Sequence, residues 1–224
     1  MIPWKMIVSK YLKQLINGVI AGLLIGVACV CYLVLSGMNL QVVGSLVFTI
    51  GFLFIALYGY EYFSAKIGLA VEENKWGYLF DCFLALLGNF IGTWIIALIT
   101  KMTSLPALEL GLASVMAVRS GEGLVFDLFG KSILSGLIIY FVFNTYKKAE
   151  QPIARFSSLF LGAIVISLVG LNEVVSDMFY YNLGCLNGYG YGEFLPKLLY
   201  VIIGSSLGAM IVPLTRRLKA LLGK

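Results

Sequence analysis

The chain has 224 residues, of which 60% are hydrophobic and only 12% charged, with a mean hydropathy of +0.96. Soluble domains are roughly 25% charged, so the composition excludes a water-soluble globule and predicts an integral membrane protein. The net charge of +5 comes without a single histidine, which excludes a histidine-ligated metal site.

A helix crossing the ~30 Å hydrocarbon layer needs about 20 residues. Six apolar runs of that kind follow in order: residues 15–35, 42–59, 78–100, 124–146, 156–170 and 198–214. The basic N-terminal part leads into the first run without a clear cleavage site, so a retained span is expected there rather than a signal peptide. The fifth run is short, and a further apolar piece, residues 174–186, follows it after a polar interruption. Backbone that leaves the helix at membrane depth is tolerated only where protein or a water-filled cavity covers it. A broken span therefore points to a site.

Lys and Arg placement sets orientation. With six spans, both termini, the second–third loop and the fourth–fifth loop share one side, and that side holds twelve of the sixteen basic residues. Both termini are expected in the cytoplasm of a multi-pass plasma-membrane protein. The positive charge is mostly this bias and does not indicate nucleic acid. Cys29, Cys31, Cys82 and Cys185 show no metal-ligand spacing and read as small apolar residues. Residues 104–120 read as an interfacial helix introduced by Pro106, with Glu109 and Arg119 towards water.

Sliding the chain by 116 residues aligns Gly88 and Gly92 with Gly204 and Gly208, and Glu61 and Phe63 with Asp177 and Phe179. Each half, about 12–103 and 121–224 of a single channel domain, then holds three spans. An odd number inverts the second half, an arrangement in which broken helices meet near the midplane and build a transport path. The glycine pairs let backbones approach closely, and the third and sixth spans are expected to cross near the pseudo-twofold axis.

The fifth-span interruption carries Asn172, Glu173 and Asp177. A charged side chain at a span centre costs about 2.5–3.5 kcal/mol on insertion, and such residues mark ion or proton paths. In a helix the two acids, four apart, share a face. Two ionised carboxylates repel there, which calls for a proton or a bound cation. No basic residue lies within the stretch. In the second-span break, Lys66 has Glu61 or Glu72 as possible partners.

These segments resemble the formate/nitrite transporter family. "EYFSAK" (61–66) stands where the family has Glu/Asp-Leu-Phe-Thr, "GNFIG" (88–92) where it has Gly-Asn-x-x-Gly, "SGLIIY" (135–140) where it has Gly-Ile-x-x-Asn, and "GLNEVVSDM" (170–178) where it has Gly-Phe-Glu-His-Ser-x-Ala-Asn-Met. The resemblance implies an all-α, aquaporin-like protomer of six spans in an inverted 3+3 repeat with broken second and fifth spans. It further implies a homopentamer in the lipid bilayer, with one pore per protomer and two apolar constrictions around a central histidine. By position, Phe48 and Phe63 line the cytoplasmic-side constriction and Ser64 is the polar residue of the broken loop, while Ile166 lies in the opposite constriction. The central histidine is replaced by Glu173 and the asparagine after it by Asp177. The vestibule lysine falls near Leu124 and the fourth-span asparagine is Tyr140.

An acid where the family has a histidine favours a small monovalent cation over an anion. Ammonium fits carboxylate, hydroxyl and aromatic partners, whereas sodium or potassium would require a ring of oxygens. Two alternatives stand beside the ammonium channel: a formate- or nitrite-like weak-acid facilitator using Glu173 as proton donor, and a non-transport membrane subunit. No nucleophile–base pair, phosphate loop or cofactor motif appears, so neither enzymatic activity nor a cofactor is expected.

Overall fold

The computed structural model describes residues 4–73, 76–120 and 125–223. Ten helices follow in order among them: α1 (Trp4–Gly37), α2 (Gln41–Tyr58), α3 (Phe63–Ile67), α4 (Ala70–Glu73), α5 (Trp76–Lys101), α6 (Leu108–Ser120), α7 (Val125–Lys148), α8 (Pro152–Val169), α9 (Val174–Leu186) and α10 (Tyr191–Leu222). Six of these, α1, α2, α5, α7, α8 and α10, are long and apolar enough to cross a membrane. No strand occurs among the described residues. The helices run past the predicted apolar cores, since backbone hydrogen bonding continues beyond the apolar layer; α10 extends on to the basic end with Arg216, Arg217 and Lys219. The short fifth run gains a turn because Pro152 opens α8, where proline's fixed φ favours a helix start and its missing N–H costs nothing.

The two breaks are built alike. α2 ends at Gly59 (φ 68°) and α8 at Gly170 (φ 74°), and each cap N–H bonds back to an isoleucine carbonyl, Ile55 and Ile166 respectively. Only glycine enters this left-handed region without a Cβ penalty. Three residues outside any helix follow, the last of them extended, and the chain re-enters helix after Tyr62 in one half and Glu173 in the other. At the breaks the halves are therefore related by 111 residues, not by the 116 that align the glycine pairs. The expected match of Glu61 and Phe63 with Asp177 and Phe179 does not hold: Tyr62 is the counterpart of Glu173. The offset changes because α9 is thirteen residues long where α3 has five, so the third helix of the second half begins later.

Packing gives the glycines a different partner from the one expected. A Cβ on Gly88 or Gly92 would overlap the α1 backbone at Leu15–Gly18 and Val19, and one on Gly204 or Gly208 would overlap α7 at Phe129 and Ile133. α5 thus packs on α1 and α10 on α7, within their own halves, rather than α5 crossing α10 at the axis. The middle is taken by the half-helices. α9 packs against α5, α1, α6 and α10, while α3 packs against α5, α7 and α10, and the two touch each other. Their exposed backbone ends need cover on every side, which only the interior supplies. The result is an all-helical inverted 3+3 repeat with broken second and fifth spans.

Candidate functional site at the two helix breaks

Glu173 has its backbone in the extended region (φ −113°, ψ 133°) and caps α9, so it does not share a helical face with Asp177. Its carboxylate is fully buried and folds back over the helix start. Four donors converge on it: Val175 N at 3.0 Å and Ser64 Oγ at 2.6 Å on Oε1, and Ser176 N at 2.8 Å and Ser176 Oγ at 2.9 Å on Oε2. That complement matches an ionised, acceptor-only carboxylate. The positive end of the α9 dipole adds to it, an effect of about 0.3–1 kcal/mol at exposed ends and up to ~2 when partly buried.

The expected repulsion between the acids is answered by partners. Asp177 Oδ1 accepts from Arg119 Nε at 2.7 Å, and Oδ2 accepts from Asn172 Nδ2 at 2.6 Å. Arg119 comes from the end of α6, and its guanidinium lies 4.8 Å from the centre of the Tyr180 ring. It is buried, not turned to water as its place on an interfacial helix suggested, while Glu109 is exposed. The basic partner missing along the stretch thus arrives from 58 residues away. Leu124, where the vestibule lysine was expected, lies outside the described residues.

The first break is held by a residue to which the sequence analysis gave no role. Asn89, fully buried next to Gly88, accepts from Phe63 N at 2.9 Å and donates to the carbonyls of Gly18 and Glu61, both at 2.9 Å. One side chain so ties α1, α5 and the broken loop together. Its mid-helix position between two glycines, where a polar amide has no helical reason to be, was the available signal. The Glu61 carboxylate takes Lys66 as ion-pair partner, and Lys66 Nζ lies 5.5 Å from the Tyr78 ring centre.

Two cavities flank the breaks. On the side of the termini, one of about 290 Å³ is lined by Ile55, Glu61, Tyr62, Lys66, Tyr78 and Phe143, among others. On the far side, a cavity of about 20 Å³ is lined by Phe48, Arg119, Ile166, Leu171, Ser176 and Tyr180, among others; it has room for about one water. Tyr62, two residues before the Ser64 that bonds Glu173, lines the first, and Ser176, bonded to Glu173, lines the second. Glu173 therefore lies between them.

Phe48 shares the far-side cavity with Ile166 and does not pair with Phe63 on the side of the termini, because it sits almost two turns before Ile55 on α2. Ile55 and Ile166, the two carbonyls that cap the breaks, are the related pair, one per cavity. Phe63 is buried and contributes its N–H to Asn89. On the near side, rings of Phe52, Tyr62 and Phe143 lie 5.4–5.8 Å apart. The Tyr140 hydroxyl accepts from Arg216 at 2.8 Å, towards the termini rather than towards Glu173.

Six spans, inverted halves and two half-helices meeting at buried polar groups define a multi-pass membrane protein of the channel class. A family model described as "Formate/nitrite transporter" matches residues 5–216. The chain belongs to the formate/nitrite transporter family. Among solved structures it is similar to a "Pentameric formate channel with formate bound", with a TM-score of 0.78 and 16% identity over 95% of this chain and 98% of that one. It is also similar to an "FNT family ion channel", with a TM-score of 0.77 and 17% identity over 90% and 87% of the two chains. Among curated proteins none matches the sequence.

Proposed function

We propose that each protomer conducts ammonium along a path from the near-side cavity, past Glu173, to the far-side cavity. The observation that carries this reading is the 2.6 Å bond from Ser64 Oγ to Glu173 Oε1. A hydroxyl that has given its proton to a carboxylate offers only lone pairs elsewhere. Ser176 Oγ is held in the same way. Glu173 thereby turns the hydroxyls around it into acceptors, which suit an ion with four N–H donors and no acceptor and disfavour an anion. Arg119 and Asp177 cancel each other, so the residual charge at the centre is that of Glu173.

A second reading is a facilitator of formate, nitrite or a related weak acid, with Glu173 supplying a proton. Kinship favours it: the family description names these anions and the first similar structure holds formate. Arg119, a buried guanidinium lining the far-side cavity, supports it as well. On kinship alone this reading stands first; the charge at Glu173 is what reverses the order. The neighbour's pentamer supports a homopentamer here, and the basic bias supports cytoplasmic termini.

Flux in proteoliposomes separates the two. The ammonium reading expects an ammonium gradient to drive charge inward and an imposed voltage to change that flux. Formate uptake that grows with acidity, with ammonium inert at every pH, would replace it by the second reading.

A further inference from the structure

Tyr62 is the pseudo-symmetric counterpart of Glu173, the last extended residue before the other half-helix, yet it makes no cap bond. Its ring is 2% exposed and held between Phe52 and Phe143, with centroids at 5.5 and 5.4 Å. Its hydroxyl is buried and, like those of Ser45, Ser135, Tyr181 and Ser205, makes no well-formed hydrogen bond among the described residues. Two residues on, Ser64 is bonded to Glu173, and Tyr62 itself lines the near-side cavity. Buried hydroxyls are nearly always partnered, and an exception asks for an explanation. The family motif has leucine at this place, so packing alone does not call for a phenol.

We propose that the Tyr62 hydroxyl is a direct ligand of the permeating ion and the residue that discriminates ammonium from its methylated form. This rests on the ammonium reading above. In this proposal Ser64, bonded to Glu173, and Tyr62, two residues before it, offer the ion oxygen lone pairs, and the rings of Phe52 and Phe143 packed on Tyr62 suit a partly dehydrated cation. Ammonium uses the phenol oxygen as acceptor for one N–H. Methylammonium has one N–H fewer and turns its methyl group towards the rings, so it depends less on that oxygen.

The test compares wild type with Tyr62→Phe, which keeps the ring and deletes the oxygen, for ammonium, methylammonium and formate flux in proteoliposomes. Ammonium flux is expected to fall about tenfold, the loss of roughly one charge-assisted hydrogen bond. Methylammonium flux should change much less, so the ratio between the two narrows. A binding readout independent of flux is the rise in Tm on replacing sodium chloride by ammonium chloride, expected in wild type and diminished in the variant. Should Tyr62→Phe fail to fold, Tyr62→Leu carries the same comparison. Wild-type values of flux, ratio and Tm rise in a folded variant, while the protein still conducts ammonium, overturn the role of Tyr62 alone. Wild type that passes formate and not ammonium overturns both this role and the ammonium reading.

Discussion

At the scale of single residues, the site is a contrast between two buried acids four positions apart. Glu173 is satisfied by neutral donors from its own helix end and from Ser64. Asp177 is neutralised by Arg119. Glu173→Gln replaces an acceptor-only group by one with donors, so Ser64 is no longer obliged to donate. Ammonium flux in proteoliposomes should then fall at least about tenfold, or 1.4 kcal/mol; unchanged flux in a folded variant removes Glu173 from the path. Asp177→Asn leaves the Arg119 charge buried without its counter-ion, a change that costs about 3–5 kcal/mol when one partner of a buried pair is lost. Thermal unfolding in detergent should show a large drop for Asp177→Asn and a smaller one for the double variant Arg119→Gln/Asp177→Asn. Equal drops would show that the pair is not coupled.

The helix breaks are the elements on which the site depends. Their shape rests on Gly59 and Gly170 in the left-handed region and on Asn89. Asn89→Ala strips the partners from Phe63 N and from the carbonyls of Gly18 and Glu61. At about 1–3 kcal/mol for each buried group left unpaired, a loss of about 3 kcal/mol or more is expected, seen as a lower Tm. Asn89→Asp should fare no better, since a carboxylate cannot donate to the two carbonyls. Gly170→Ala forces a Cβ into the left-handed region and should cost about 1–2 kcal/mol. A Tm as in wild type for Asn89→Ala would mean that the first break is held by packing rather than by this side chain.

Over the whole molecule, the two halves interlock: each half-helix is covered largely by helices of the other half, α9 by α5 and α1, and α3 by α7 and α10. Neither half can form its break without the other, so the protomer is expected to unfold as one cooperative unit. Many large apolar side chains remain on its outer face, among them Phe80, Phe83, Phe160 and Leu207, where lipid or further copies of the chain cover them. A homopentamer predicts a native mass of five 24.5 kDa chains in detergent and in lipid nanodiscs. A stable monomer under both conditions would count against it.

The sequence by itself determined the class, the six spans, the break in the fifth and the presence of acids there. Hydropathy, glycine and charge are local signals, and the lipid solvent leaves helices few alternatives. It could not fix the register between the halves: one offset was read from glycine pairs, while loop and half-helix lengths differ and the breaks follow another. Nor could it find Arg119 beside Asp177, because an arginine at the end of an amphipathic helix looks the same in sequence whether it meets water or a buried acid. That pairing exists only in the folded protein, and with it the difference between a carboxylate that has a basic partner, Asp177, and one held by neutral donors, Glu173. Hydrogen-bond partners 109 and 58 residues away, Ser64 for Glu173 and Arg119 for Asp177, set the difference, and contacts of that range exist only once the halves have packed.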